Sequence, residues 1–373
     1  VDGLSWAAAR TRFPACMPRI AEFFARGVIF DQSFSTSEHT HPALPAIETG
    51  RYPQRIHIFN EKDSHELPLD IPTLSEQMKS LGYYCAAPMA SGFGIYNGVM
   101  RGYDRIVSAS WKAASYEGAN RTIRQIEAFD ETDQFLLLHV MDVHPWDGKD
   151  FKFDPTVEAH LPLKDRRLAP GKERTASVRL LPTKVYQEEF WASLKHVDRA
   201  IGGLLACIAD RYDEDEYIVN LYSDHGQSTF AAQALLAGGD FACEMQTSTV
   251  WMMRGAGVPV CGIVDELTSI VDIYPTLGHL CGFPVPEDID GNLPAVFGGT
   301  ERDVVYSALT FPGQTFKLAV RSKTHAFRLE TQDFSDEDGT VDFRIAHTGI
   351  YPRGHEWETG YELDSDELRR FFY

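Results

Sequence analysis

The chain has 373 residues, 43% hydrophobic and 24% charged, and its 54 acidic against 35 basic side chains give a net charge of −19. That length carries one large core and a smaller unit, and the acidic balance argues against nucleic acid and anionic membrane surfaces as partners while leaving room for an anionic substrate beside a bound cation. No run of about 20 apolar residues occurs, so no membrane span is expected, and six scattered cysteines without a C-x-x-C pair read as buried thiols of a reducing compartment, which favours the cytoplasm without fixing the location.

Val1-Asp2-Gly3-Leu4 reads as the last residue of a strand and the turn after it, with the strand itself upstream of this sequence. Met17 to Arg26 places Ile20, Phe23 and Phe24 on one helical face, with Gly27 as the stop. Val28 to Phe34 returns as a strand. The next stretch, STSEHTHPALPAIETGR from Ser35 to Arg51, is dense in hydroxyls and histidines and then turns helical. Pro42 suits a first helical turn, so Thr40 or His41 caps the helix and places a hydroxyl beside its anion-attracting end. An ordinary threonine cap is the plain alternative.

Helices are predicted over Pro72 to Leu81, Tyr116 to Phe129, Val185 to Arg211 and Leu267 to Leu280, and strands over Tyr83 to Ala87, Gln134 to Met141 and Thr249 to Arg254. Asp198 in the long helix reads as a surface charge and His279 as a core histidine. The polar excursion from Asp150 to Thr183 is read as a lid or substrate wall, or as a solvated loop. From Val304 the pattern changes to four short strands, Val304–Leu309, Lys317–Val320, His325–Leu329 and Val341–Ile345, which suggests a small antiparallel sheet.

Two strands end in an acid and an imidazole. QFLLLHVM leads into Asp142-Val143-His144-Pro145, and YIVNLYSDHGQS delivers Asp224 and His225. In an open α/β sheet, ligands bind outside the carboxyl ends of the strands. Adjacent oxygen and nitrogen donors there suit a divalent metal, and a turn with a surface Asp and His is the alternative. Together with Asp2, the two endings point to one site.

Four stretches then resemble the sulfatase branch of the alkaline phosphatase superfamily: THPALPAIETGRYP from Thr40 to Pro53, Asp142 to Pro145, Leu221 to Gly226, and IVDIYPTLGHLCGFPVPEDIDG from Ile270 to Gly291. The tail from Tyr361 to Leu368 is similar to the family's closing segment. The resemblance implies an alkaline-phosphatase-like three-layer α/β sandwich, with a large, mostly parallel sheet in a catalytic domain over 1–298. A small C-terminal antiparallel sheet, over 299–373, packs on it. Carried over residue by residue, Asp2, Asp224 and His225 hold one divalent metal (Mn, Ca, Mg or Zn), and Thr40 is nucleophile and metal ligand. His144 binds the substrate oxyanion or protonates the leaving group, with His41 beside the substrate. Arg51 supports the nucleophile loop.

The pattern departs from the family where Thr40 replaces the Cys or Ser that becomes formylglycine, and where Leu44 replaces the motif's arginine. The family's Asp-Asp pair is Asp2-Gly3 here, and its Gly-Lys-x-His stretch falls near Ala87 to Ser91 without Lys or His. A Thr nucleophile with Asp, Asp and His around one metal resembles the phosphoryl-transferring relatives. The reading is therefore a metal-dependent hydrolase or transferase of phosphate or phosphonate esters, acting on a small anionic ester such as a glycan or lipid headgroup. The alternatives are a sulfuric ester hydrolase with an atypical nucleophile and a degenerate, anion-binding family member.

Overall fold

The structure is a computed structural model that describes residues 1–59, 66–89, 97–108, 114–143, 184–227, 242–310, 314–335, 340–356, 363 and 366–372. His144 and the excursion over 150–183 lie outside the described residues.

Eleven strands occur among the described residues: β1 (Val28–Phe34), β2 (Tyr84–Met89), β3 (Arg105–Ser108), β4 (Gln134–Leu136), β5 (Ile218–Tyr222), β6 (Ser248–Gly255), β7 (Gly262–Ser269), β8 (Val305–Leu309), β9 (Thr315–Arg321), β10 (His325–Phe334) and β11 (Ala346–Pro352). The helices are α1 (Trp6–Ala9), α2 (Pro18–Phe24), α3 (Thr40–Thr49), α4 (Pro53–Ile56), α5 (Leu74–Ser80), α6 (Ala114–Ala128), α7 (Lys184–Arg211), α8 (Glu244–Thr247), α9 (Ile273–Cys281) and α10 (Asp366–Phe372).

The expected large, mostly parallel sheet is instead split. One sheet has the order β5-β6-β1-β7 and a second the order β3-β2-β4. β6 is the reason the first is mixed, since it runs antiparallel to both β5 and β1 while β1 and β7 are parallel. β2 pairs parallel with β3 and β4. Val1 and Asp2 fill the seam between the two sheets: the Asp2 N–H donates to Val140 O at 2.7 Å and the Val1 amino group to Tyr222 O at 2.7 Å. The third sheet, β11-β10-β9-β8, is antiparallel throughout, as expected from the C-terminal pattern.

Alternation along β1 and β6 builds the layers, because neighbouring side chains of a strand point to opposite faces. Val28, Phe30, Trp251 and Met253 lie in one core with Ala43 and Ile47 of α3 and Tyr274 of α9. Phe30 stacks on Trp251 at 4.2 Å between ring centroids. Ile29, Val250 and Met252 lie in the other core with Phe24 of α2 and Leu194 and Val197 of α7. Helices therefore cover both faces of the β5-β6-β1-β7 sheet.

The long helix behaves differently from expectation at one residue. Asp198 is buried and accepts hydrogen bonds from the backbone N–H groups of Arg19 at 2.9 Å and Ile20 at 3.0 Å. A carboxylate from α7 thus caps α2, whose own N-cap, Met17, has no capping side chain. His279 is exposed rather than in the core, and Cys261 is exposed among otherwise buried or half-buried free thiols. The helix expected from Leu267 starts later. Leu267, Thr268 and Ser269 pair with Gln32, Ser33 and Phe34, and Asp272 turns the chain by accepting the Ser269 N–H at 2.8 Å. The expected strand over Val341–Ile345 is displaced to β11, since it is Ala346 to Pro352 that register against β10.

The C-terminal sheet grips the segment that leads into α3. Ser307 Oγ donates to Ser35 O at 2.6 Å and the Ala308 N–H to Thr36 O at 2.8 Å. Fully buried Arg321 pairs with Glu356 at 3.1 Å and donates to Ala242 O. Arg353 pairs with Glu244 through Nε at 2.9 Å and Nη2 at 2.8 Å. The Arg321 and Arg353 guanidiniums lie 5.5 and 4.7 Å from the Phe34 ring centroid.

Candidate active site

Four residues that the sequence singles out converge. Asp2, Asp224 and His225 are buried, and each offers one ligand atom within 4.8 Å of the others. Thr40 joins them from the amino end of α3: its Oγ1 donates to Asp2 Oδ2 at 3.2 Å and lies 3.1 Å from His225 Nε2. His225 Nε2 in turn lies 3.5 Å from Asp2 Oδ1 and 3.6 Å from Asp224 Oδ2.

Local backbone requirements explain how the group is assembled. Asp224 Oδ1 accepts the N–H groups of Gly3 at 3.1 Å and His225 at 2.9 Å, so one carboxylate joins two strand ends. Gly3 makes its bond from a left-handed backbone with φ of 68°. A Cβ on Gly226 would lie 2.3 Å from Met245 O, so only glycine lets the chain pass there and donate to Gln246 O. The Gln227 amide ties Gly3 O at 2.9 Å to Val143 O at 3.2 Å. Ser223 Oγ donates to Leu4 O and accepts from Val250 N–H.

The electrostatics favour a cation. His225 Nδ1 faces Gly226 O at 2.6 Å. A carbonyl can only accept, so Nδ1 carries hydrogen and the Nε2 lone pair of the neutral ring faces two carboxylates and the Thr40 hydroxyl. Burial opposes the charged imidazolium, but the carboxylates of Asp224 and Asp2 outweigh it and raise the His225 pKa. Among the described residues nothing donates a hydrogen bond to the buried Asp224 Oδ2. Two carboxylates, one imidazole and a hydroxyl, converging with an acceptor left over, fit a divalent metal.

The other sequence candidates lie elsewhere. His41 is buried in the first turn of α3. Arg51 lies past the far end of that ten-residue helix, where it pairs with Asp288 at 2.7 Å and donates to Thr49 O at 3.3 Å. Leu44 is buried in the core on α3. Two buried ionisable residues near the site are absent from the sequence reading. Glu38 contributes charge felt at His225 and lies 3.6 Å from His39. His139 places Nε2 3.3 Å from Asp2 Oδ2. The signal for His139 is a single ionisable side chain inside QFLLLHVM, close to the strand's carboxyl end.

A family model described as Sulfatase matches residues 7–283. The chain belongs to the sulfatase family, within the alkaline phosphatase superfamily. Human arylsulfatase A is 27% identical over 189 residues, 48% of this chain and 37% of the human protein, so the match spans little more than a third of that relative's length. Among solved structures, a Bacteroides thetaiotaomicron protein from work on the metabolism of multiple glycosaminoglycans has a TM-score of 0.72 at 14% identity, covering 99% of this chain and 91% of its own. The phosphonate monoester hydrolase of Silicibacter pomeroyi has a TM-score of 0.67 at 15% identity, covering 96% and 88%. These likenesses show the sulfatase-type fold.

Proposed function

We propose that this sulfatase-family chain is a metal-dependent hydrolase or transferase of phosphate or phosphonate esters that works through a covalent Thr40 adduct. The observation that carries the reading is the Thr40 hydroxyl, held 3.2 Å from Asp2 Oδ2 and 3.1 Å from His225 Nε2 at the amino end of α3. Threonine cannot become formylglycine, yet it keeps the hydroxyl that a direct displacement needs.

Asp2, Asp224, His225 and Thr40 would hold the ion. When bound, it supplies Lewis-acid stabilisation of a Thr40 alkoxide and of phosphoryl oxygens. Asp2 Oδ2, which already accepts the Thr40 hydroxyl, takes its proton. Oγ1 forms a bond to phosphorus, and the bond from phosphorus to the alcohol oxygen breaks. His144, outside the described residues, gives that oxygen a proton, a contribution of roughly 10²–10⁴-fold. The amino end of α3 favours the negative charge on the transferred group. Water or a second alcohol then opens the adduct: its proton passes to His144, the bond from phosphorus to Oγ1 breaks, and Asp2 returns its proton to Thr40.

A sulfate ester is the second reading, favoured by the sulfatase neighbours. A panel of nitrophenyl phosphate, bis-nitrophenyl phosphate, a phenylphosphonate ester and nitrophenyl sulfate separates the two. Each substrate is assayed with Mn²⁺, Zn²⁺, Ca²⁺ or EDTA, and with Thr40→Ala as control. The expected result is metal-dependent cleavage of a phosphorus ester that disappears in the variant. Cleavage of the sulfate alone overturns the phosphoryl reading, and full activity in Thr40→Ala overturns the nucleophile.

A further inference from the structure

Gln227 is buried just past His225, and its backbone is fixed before its side chain begins. The Gln227 N–H donates to Met245 O at 3.0 Å and the Gly226 N–H to Gln246 O at 2.7 Å. From that base the side-chain amide reaches two other segments. Nε2 donates to Gly3 O at 2.9 Å and to Val143 O at 3.2 Å. An amide nitrogen carries two hydrogens and a carbonyl can only accept, so the two carbonyls assign the nitrogen to that position. Gly3 belongs to the turn of Asp2, and its own N–H holds Asp224 Oδ1 at 3.1 Å. Val143 ends the described part of the segment after β4, and its carbonyl shares a peptide bond with His144. Val1, Asp2 and Ser223 tie the same turn to β5 and to Val140. Gln227 extends the tie to the residue before His144.

We infer that Gln227 is a positioning residue for leaving-group protonation: through its two N–H bonds it sets the strand end that precedes His144 against the turn that carries Asp2. The proton donor and the ion's ligands belong to separate segments of the chain. Their relative placement decides whether a proton reaches the departing oxygen as its bond to phosphorus breaks. A misplacement of about 1 Å can cost about 100-fold. The inference rests on the reading of His144 as proton donor.

The test compares Gln227→Met, which keeps an unbranched side chain without a donor, and Gln227→Leu with His144→Ala. Each is assayed with Mn²⁺ on the nitrophenyl and methyl esters of phosphoric and phenylphosphonic acid, followed by phosphorus NMR. Nitrophenolate leaves as a stable anion, whereas methoxide needs the proton. The quantity read is kcat/KM, which covers the steps up to departure of the alcohol. Both Gln227 variants are expected to lose about 10- to 100-fold on the methyl ester and less than about threefold on the nitrophenyl ester. His144→Ala should show the same selectivity with a larger loss. Circular dichroism and the unfolding temperature report on the fold, and a Gln227→Leu that unfolds early leaves the decision to Gln227→Met. Selectivity in His144→Ala that is absent from Gln227→Met overturns the inference and leaves the proton-donor reading standing. Equal loss on both esters in Gln227→Met overturns it as well, since the damage then lies at the metal site. No selectivity in His144→Ala, or no turnover of any of these esters by the wild type, overturns the reading, and this inference with it.

Discussion

The hydroxyl of Thr40 stands 3.1 Å from Nε2 of His225, 185 positions further along the chain. One contact thus joins the start of a helix to the end of a strand, and it makes the role of each side chain separable by substitution. Thr40→Ser keeps the hydroxyl and is expected to retain activity within about tenfold. Thr40→Val keeps the shape alone and is expected to lose on the order of 10⁴-fold or more in kcat. Comparable rates for the two variants on the preferred ester would remove the hydroxyl from the chemistry.

Asp224 offers a cleaner test of metal binding than of folding. Asparagine at 224 keeps Oδ1 as acceptor for the Gly3 and His225 N–H groups. It replaces Oδ2, which accepts no hydrogen bond among the described residues, with an amide that cannot ligate through nitrogen. Asp224→Asn is therefore expected to unfold within a few degrees of the wild type in EDTA while binding metal at least about 100-fold more weakly. Elemental analysis after dialysis against Mn²⁺ reads this directly. Stoichiometric metal in the variant refutes the ligand role.

Glu48 gives the fold a pH dependence of known sign. Burial pushes its carboxyl from 4.5 up to about 8, against the opposing hydrogen bond from Ser75 N–H, with Glu76, Tyr103 and Tyr222 as its titratable neighbours. Below pH 4.5 the folded and unfolded chains both hold this proton. Between that pH and about 8 the unfolded chain releases it and the folded chain does not, so stability falls as pH rises through the window. Glu48→Gln keeps an acceptor for Ser75 and removes the titration. It should be more stable than the wild type by up to about 3 kcal/mol at pH 7 and by little at pH 4. Urea unfolding at both values checks this, and an unchanged pH slope in the variant contradicts it.

Arg302 and Asp272 form the buried pair that holds the loop after α9. Asp272 accepts Arg302 Nε at 2.9 Å, Ser269 N–H at 2.8 Å and Asn292 N–H at 2.7 Å. Removing the cation leaves a buried carboxylate with two backbone donors. Arg302→Met is expected to cost about 3–5 kcal/mol. Adding Asp272→Asn to it should recover part of that loss, because the stranded charge disappears. Denaturant unfolding of the two singles and the double separates the pair from the sites, and strictly additive effects would mean the ion pair contributes nothing.

Much of this architecture is readable from local pattern. β1 needs only its apolar run, and the alternation in β6 separates Val250 and Met252 from Trp251 and Met253 as two cores require. Asp2, Asp224 and His225 stand out because each is polar at the end of a strand pattern, and Thr40 because it is a hydroxyl where a polar stretch turns helical. Asp198 does not, because its partners are backbone N–H groups on another helix, and a side chain that caps at a distance has no local signature. His139 is hidden by its apolar neighbours. The start of α9 is misread because Leu267 to Ser269 continue the helical apolar pattern while pairing as a strand, a choice made by β1. The split sheet is likewise a matter of pairing: each strand is legible, but the direction of β6 between β5 and β1 is decided only when all three are together.

The clasp of the C-terminal sheet on the segment before α3 sets an order of events during synthesis. A ribosome has long finished Asp2, Thr40, Asp224 and His225 when it begins β8. The carbonyls of Ser35 and Thr36 meet Ser307 and Ala308 only after that strand emerges, and Phe34 receives its second guanidinium only with Arg353. At about 5–20 residues per second, the interval between the last ligand and the last clasp is several seconds. A nascent chain therefore carries every member of the cluster, and the bonds that join Asp2, Asp224 and His225, before it carries the clasp on the segment that leads into Thr40.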